Sequence, residues 1–502
     1  MQRKISIWDK CLAAFYLQGY NLAMMKLKLP SKLPRLVLFD ERGLDAPTIR
    51  SLKLMIYAVA FGVIQFNIVG GIAMAGYLRE LGASDFVFGL LFAIGPIISP
   101  MQLFASYLLE LTRKRKHMFI IAGLIQRIVW LPFGLIPFFI PMEQMTLRIW
   151  MVTIFLMVSA FSGPFMNVSF FSLAADLVPE HIRGRYFAVR MRVSTVCGIL
   201  GGVVTAWILD NILPFHSYTF VFTLAAIMGT LDILCFFGIK FPEMAKRPKD
   251  GDGFLQMLGA VIKNKPYMRF IFFMTFWLFS VNIAGPFILV HLREGVQLSN
   301  TLITVAVQIL PNLCSVFMAA RWGRTLDSHG NKPTMQVANG ILCIAPFLWI
   351  FTGNYAFSIV LIMIIGIMQG ALLPGFDLGA NNIMLGHAPK VNRSMFIAVY
   401  FMCTSIIGIG LANATGGWLL DNVFSTFEGA GVALVGVTLT RYSYLFALTA
   451  LLRCIMVYVA LPRLVKEENG TSASELVETV FKGMKRRWLR RWAFARYRMR
   501  RK

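Results

Sequence analysis

Twelve apolar stretches, each long enough for a helix to cross a bilayer, restrict the fold of this chain more than any other feature. A helix needs about twenty apolar residues to cross a hydrocarbon core. Backbone in lipid must satisfy its own hydrogen bonds, so helices are the expected element. The stretches lie near 52–77, 86–109, 117–140, 149–176, 187–213, 218–241, 267–290, 300–322, 333–352, 355–385, 395–422 and 440–462. Of the 502 residues, 57% are hydrophobic and only 15% are charged. A soluble domain carries far more charge. The expected fold class is therefore an all-α membrane protein.

The net charge of +25 is explained by where the charges fall. If the spans alternate, one face receives Arg113 to Lys116, Arg183, Arg185, Arg190, Arg192, the segment 242–266, Arg324, Lys332, Lys390, Arg393 and both chain ends. The other face receives Arg79, Arg148, Arg293 and Arg441, all near span ends. The positive-inside rule puts the first face, and both termini, in the cytoplasm. The expected location is the plasma (inner) membrane. Topology and a basic tail account for most of the charge, so nucleic acid is not an expected partner.

No enzyme chemistry is expected. The seven cysteines form no CxxC pair, and six of them lie in apolar runs. They read as small buried hydrophobes, not as metal ligands. The six histidines are scattered in or beside loops. No phosphate-binding G-x4-G-K-[ST] loop occurs, and no soluble segment is large enough for a catalytic domain. No cofactor and no metal are expected.

The two halves of the chain resemble each other. Asn67-Ile-Val-Gly70 recurs as Asn282-Ile-Ala-Gly285, and Leu78-Arg79-Glu80 as Leu292-Arg293-Glu294. Pro96 has its counterpart in Pro311, and Pro179-x3-Arg183 in Pro389-x3-Arg393. Trp207-x2-Asp210-Asn211 recurs as Trp418-x2-Asp421-Asn422. The offset holds at about 210–217 residues, as a duplicated half requires. Repeated halves predict two pseudo-symmetric six-helix bundles, with a binding site at their interface near mid-membrane.

Loop motifs add a family resemblance. The loop after the eighth span reads Gly323-Arg-Thr-Leu-Asp327-Ser-His-Gly330-Asn-Lys332. It resembles the G-x3-D-x2-G-x-[RK] loop of the major facilitator superfamily. The loop after the fourth span, Asp176-Leu-Val-Pro179-Glu180-His-Ile-Arg183-Gly184-Arg185, resembles the acid-x2-P-x3-R-G connection of the same superfamily. In the first half the equivalent loop is degenerate: Glu110 stands for the aspartate, neither glycine is present, and Arg113 and Arg115 supply the charge. The resemblance covers most of the chain. It implies that Glu110, Arg113, Asp176, Arg183, Gly184, Gly323, Asp327, Gly330 and Lys332 act as a conformational switch through interhelical ion pairs. The plainer alternative is that they are turns obeying the charge rule. Pro242-Glu243 is also similar to a sugar-porter signature, but Pro462-Arg463 lacks its partner.

The resemblance further implies that the first, fourth, seventh and tenth spans surround a central cavity. Their polar residues Gln65, Asn67, Asn167, Asn282, Gln369, Asp377 and Asn381 are the candidate substrate-binding set. Asp377 is the only carboxylate well inside those four spans. An ionised group at mid-membrane costs about 2.5–3.5 kcal/mol, so it needs a reason. It is a candidate to meet a cationic group of the solute or to take up a proton. The alternatives are a packing aspartate, and asparagines that simply join helices. Arg127 in the third span and Asp232 in the sixth form a candidate structural ion pair.

The expected organisation is an interfacial or cytoplasmic segment 1–51, bundles 52–241 and 267–462 joined by a linker 242–266, and a tail 463–502. The stretch 5–25 reads as an interfacial helix. The tail reads as a basic amphipathic helix that lies on anionic lipids, with Trp488 and Trp492 on one face and Arg487 and Arg491 among the charges. The functional expectation is a monomeric secondary active transporter. It moves a small-molecule solute across the lipid bilayer by alternating access, coupled to an ion gradient, with protons first in line. A drug or metabolite efflux permease of the same fold and a non-transporting membrane scaffold are the alternatives.

Overall fold

The structure is a computed structural model. It describes residues 44–464 apart from 142, 214–215, 243–253, 388, 390–392, 428–432 and 435–436. The segment 5–25, Lys390 and the tail helix lie outside the described residues.

Among the described residues, twelve helices are long and apolar enough to cross a membrane. Spans 1–6 are Ala46–Glu80, Asp85–Thr112, Arg115–Phe139, Met145–Leu177, Arg185–Asn211 and His216–Phe237. Spans 7–12 are Lys265–Gly295, Asn300–His329, Asn331–Ile350, Ala356–His387, Met395–Asn422 and Arg441–Arg463. The order and number match the apolar stretches, and the limits differ in instructive ways. Span 1 begins at Ala46, inside the expected N-terminal segment, because Asp45 and Pro47 supply a helix start before the apolar run begins. Span 8 runs on to His329, past the apolar stretch, until Gly330 at φ 89° ends it. The linker contains a helix of its own, Phe254–Lys263.

Two features were not legible in the apolar pattern. The connection between spans 11 and 12 holds a two-residue antiparallel pair, Ala433–Leu434 with Val437–Thr438. Spans 7, 8, 11 and 12 each contain a π-helical turn, at His291–Gly295, Val305–Ile309, Thr404–Leu411 and Ile455–Ala460. Such turns shift the face that a helix presents and often mark functional positions.

Contacts define two faces. On the linker face, Arg115 donates to Pro242 O at 2.6 Å and Lys116 to Phe237 O at 2.9 Å. There too, Lys332 donates to Pro462 O at 2.6 Å. The opposite, distal face carries the connections between spans 1–2, 3–4, 5–6, 7–8, 9–10 and 11–12. A single buried apolar cluster joins both halves on the distal side: Tyr77, Phe133 and Phe222 of the first half are continuous with Phe287, Trp349 and Phe446 of the second. The other cluster, around Tyr267, Trp277, Phe376 and Tyr400, belongs to the second half alone.

Candidate functional site

The distal interface is built from the repeated motifs. Leu78-Arg79-Glu80 ends span 1, and Leu292-Arg293-Glu294 ends span 7. Arg79 Nε lies 3.2 Å from Glu294 Oε1, and Arg293 Nη2 lies 2.9 Å from Glu80 Oε1. The pairs are reciprocal: each half supplies one guanidinium and one carboxylate. Asp85 at the start of span 2 is buried, holds Arg79, and receives Arg441 of span 12 at 3.1 Å. Tyr442 joins the cluster, with its hydroxyl 3.1 Å from Arg79 Nη2. Three cations and three anions balance there, which makes a buried cluster tolerable.

The second reciprocal device is helix capping. Asp421, ending span 11, accepts from the backbone N–H of Phe86 at 2.8 Å and of Asp85 at 3.3 Å. Asp210, ending span 5, accepts from the backbone N–H of Asn300 at 2.8 Å and of Thr301 at 2.9 Å. Each aspartate thus satisfies the orphan donors that begin a span of the other half, where negative charge is also favoured by the helix dipole. Glycine lets these helices meet: a Cβ on Gly417 would run into the backbone of Asp85, and one on Gly89 into that of Asn413.

The linker side differs. Between described residues, no ion pair or hydrogen bond joins the linker-side ends of spans 2, 4 and 5 to those of spans 8, 10 and 11. Three of the expected switch residues make contacts inside their own halves. Asp176 pairs with Arg115 at 2.6 Å. Arg183 donates to the carbonyls of Ala175 and Val178, and Lys332 to those of Pro462 and Leu464. Asp327 is exposed, and a Cβ on Gly323 would meet open space. Gly184 lies within the helix Glu180–Asn211. Arg113, at the motif position of Gly330, holds a left-handed φ of 52° and ψ of 13°, a different turn from that of Gly330 at φ 89° and ψ 169°. Glu110 is exposed near the end of span 2. The ion pairs that bridge the halves are therefore distal, away from the loops where the motifs directed attention.

The polar residues inside the spans divide into committed and open groups. Gln65 is 3% exposed and its Oε1 accepts from Arg127. Arg127 in turn donates to Asp232 at 2.8 Å. Gln65 therefore belongs to a buried triad of spans 1, 3 and 6, not to a cavity wall; the buried guanidinium needs every acceptor near it. Gly62 makes the room, since a Cβ there would lie 2.7 Å from Asp232 Oδ2. Asn67 accepts from Gln308 Nε2 at 2.7 Å, across the halves and within the π turn of span 8. Asn282 donates to Leu278 O at 2.8 Å within its own helix. Asn167, Asp377 and Asn381 are exposed and have no hydrogen-bond partner among the described residues, and Gln369 is half-buried and likewise unpartnered. Asp377 and Asn381 lie one turn apart on span 10, opposite the stripe Gly375, Gly379 that packs on Trp322 and Met335. Asp377 is within electrostatic reach of Tyr400 on span 11. Asn382, beside them, donates to Asn331 at 3.0 Å. Among the described residues, no group of three or more His, Cys, Asp or Glu could hold a metal.

The pattern of the Major Facilitator Superfamily matches this chain twice, over residues 54–309 and 270–498. The chain belongs to the major facilitator superfamily. The double match states the duplication in family terms. No curated protein sequence matches the chain. Among solved structures, a mutant of the nucleoside transporter NupG aligns with a TM-score of 0.63 at 15% identity, over 83% of this chain and all of that one. A bacterial homolog of the human lysosomal transporter Spinster, inward-facing and unoccupied, aligns with a TM-score of 0.59 at 14% identity, over 83% of this chain and 95% of that one. A D-xylose-proton symporter aligns with a TM-score of 0.58 at 14% identity, over 85% and 98%. At these identities the likeness is one of fold. In this superfamily member, the distal contacts join the two halves at one end of the bundles.

Proposed function

We propose that the chain is a secondary transporter held here with its distal face sealed and its linker face open. The observation that carries this reading is the set of contacts that joins the halves on the distal side. Reciprocal ion pairs and caps tie the halves together there. The basic loops lie on the linker face, and the positive-inside rule makes that face cytoplasmic. The state is then inward-open, with both termini in the cytoplasm.

Asp377 and Asn381 of span 10, with Asn167 of span 4, form the solute contact. A carboxylate in a span without a partner in the protein needs water or a ligand, because lipid offers neither. The solute is neutral and polar, or cationic, and Asp377 couples its movement to protons. Uptake into proteoliposomes tests this, using solutes first selected by their ability to stabilise the purified chain. Wild type is expected to respond to an imposed proton gradient. Asp377→Asn is expected to lose that response. Undiminished and still pH-dependent uptake by Asp377→Asn rejects the coupling role.

A further inference from the structure

Among the described residues, the second bundle contains a buried cation without a counter-ion. Arg453 is the one buried arginine or lysine of that bundle among the described residues. It sits mid-way along span 12, at about 1.5 Å per residue some 18 Å from Arg441 and 15 Å from Arg463. That depth is too great for the side chain to reach either interface. It is 8% exposed, its Nε is buried without a partner, and no described carboxylate lies within ion-pair distance. Its neighbours are the ring of Trp277, 5.8 Å from Cζ, and Cys343.

Other buried polar groups of spans 9 and 12 also lack partners among the described residues. Thr449 stands one turn toward the helix N-terminus, the side over which a helical side chain leans. Its hydroxyl is buried and has no partner. On the facing span 9, Asn339 lies one turn from Cys343; it is fully buried and both its amide atoms lack partners. Spans 9 and 12 are clamped on either side of this region, by Tyr458 donating to Gly340 O at 3.1 Å and by the Trp349 and Phe446 rings at 5.8 Å. The first bundle solves the same problem differently. Asp232 precedes Pro242 much as Arg453 precedes Pro462, and there the opposite charge of Arg127 and the amide of Gln65 complete the set. In the second bundle Cys343 stands at the repeat position of Arg127, so neither residue is acidic.

Leaving a guanidinium and several donors unpaired in an interior is costly. The geometry points to an anion site inside the second bundle, with Arg453 as its charge and Thr449, one turn away on the same helix face, as a neutral donor. One cation with a neutral donor matches a compact monovalent anion, a halide or a carboxylate group. A divalent anion would keep an uncompensated charge. The site stands whether or not the chain transports as proposed above.

Thermal unfolding of the purified full-length chain tests it, with sodium chloride, sodium formate or sodium sulfate compared at equal ionic strength. Wild type is expected to show a saturable rise in Tm with chloride or with formate, and none beyond the ionic-strength baseline with sulfate. A response to chloride alone assigns a halide, and one to formate alone a carboxylate. Arg453→Gln is expected to abolish the saturable rise. Thr449→Val keeps the charge and provides a second test should Arg453→Gln not fold. Loss of one hydrogen bond there is expected to weaken half-saturation about five-fold. The proposal is overturned by a wild type with no saturable response to either anion. It is equally overturned by an unchanged response in Arg453→Gln, or by an unchanged midpoint in Thr449→Val.

Discussion

Arg293 of span 7 reaches across the interface between the halves to Glu80 of span 1, with Nη2 2.9 Å from Oε1. Arg79 and Glu294 repeat the contact in the opposite sense at 3.2 Å. One sequence motif, duplicated, has become a two-part lock.

Weakening this lock is expected to shift the chain toward a distal-open state. The four side chains are 15–40% exposed, so each pair is worth about 0.2–1 kcal/mol. Glu80→Gln with Glu294→Gln therefore moves the equilibrium by about 0.4–2 kcal/mol, roughly 2- to 30-fold. The rate at which an impermeant thiol reagent labels a cysteine placed at Asn67, in a cysteine-free background, reads the shift. An unchanged rate would remove these pairs from the gate.

The two aspartate caps make a separate prediction. Asp421→Ala and Asp210→Ala each strand two backbone donors of the partner half and are expected to cost about 0.5–2 kcal/mol. Asparagine keeps one accepting oxygen, so Asp421→Asn is expected to fall between wild type and alanine. Chemical denaturation in detergent would show this order; equal loss for alanine and asparagine would point to charge alone.

The interior triad is expected to behave as a buried pair. Removing one partner, as in Asp232→Asn, should cost about 3–5 kcal/mol, because it leaves the Arg127 charge uncompensated. Replacing both, as in Arg127→Met with Asp232→Leu, should recover most of that loss. Gly62→Ala should also destabilise, since the added methyl displaces Asp232. Thermal unfolding of the three variants decides; a double variant no better than Asp232→Asn contradicts the pairing.

The lipid-crossing architecture could be read from the residues because hydropathy reports directly on what lipid demands. Helix that continues beyond the bilayer could not: Trp322 to His329 is polar enough to end an apolar stretch, yet its backbone stays helical. The repeats were equally visible, but their meaning was not. Repetition identifies equivalent positions and says nothing about which of them meet across an approximate two-fold axis. So Arg79, Arg293 and Arg441 read as a few charges on a sparsely charged side, Glu80, Glu294, Asp210 and Asp421 as repeat markers, and Asp85 carries no sequence signal of its own. Gln308 was passed over because a π turn, not the regular helical period, turns it toward Asn67. Gln65 read as a cavity residue because its span is central. Its real partner, Arg127, comes from another helix at a separation that no local pattern encodes.

The central claim is that the two halves rock about the space between them, so that closing one face opens the other. Spin labels at Asn211 and Asn422 report the distal ends of spans 5 and 11, and labels at Arg185 and Arg324 report the linker-side ends of spans 5 and 8. Electron–electron double-resonance distances should be compared with and without Glu80→Gln and Glu294→Gln in the same chain. The account predicts that the distal pair lengthens while the linker-side pair shortens. Distances that stay fixed in both pairs, or change in the same direction, contradict it.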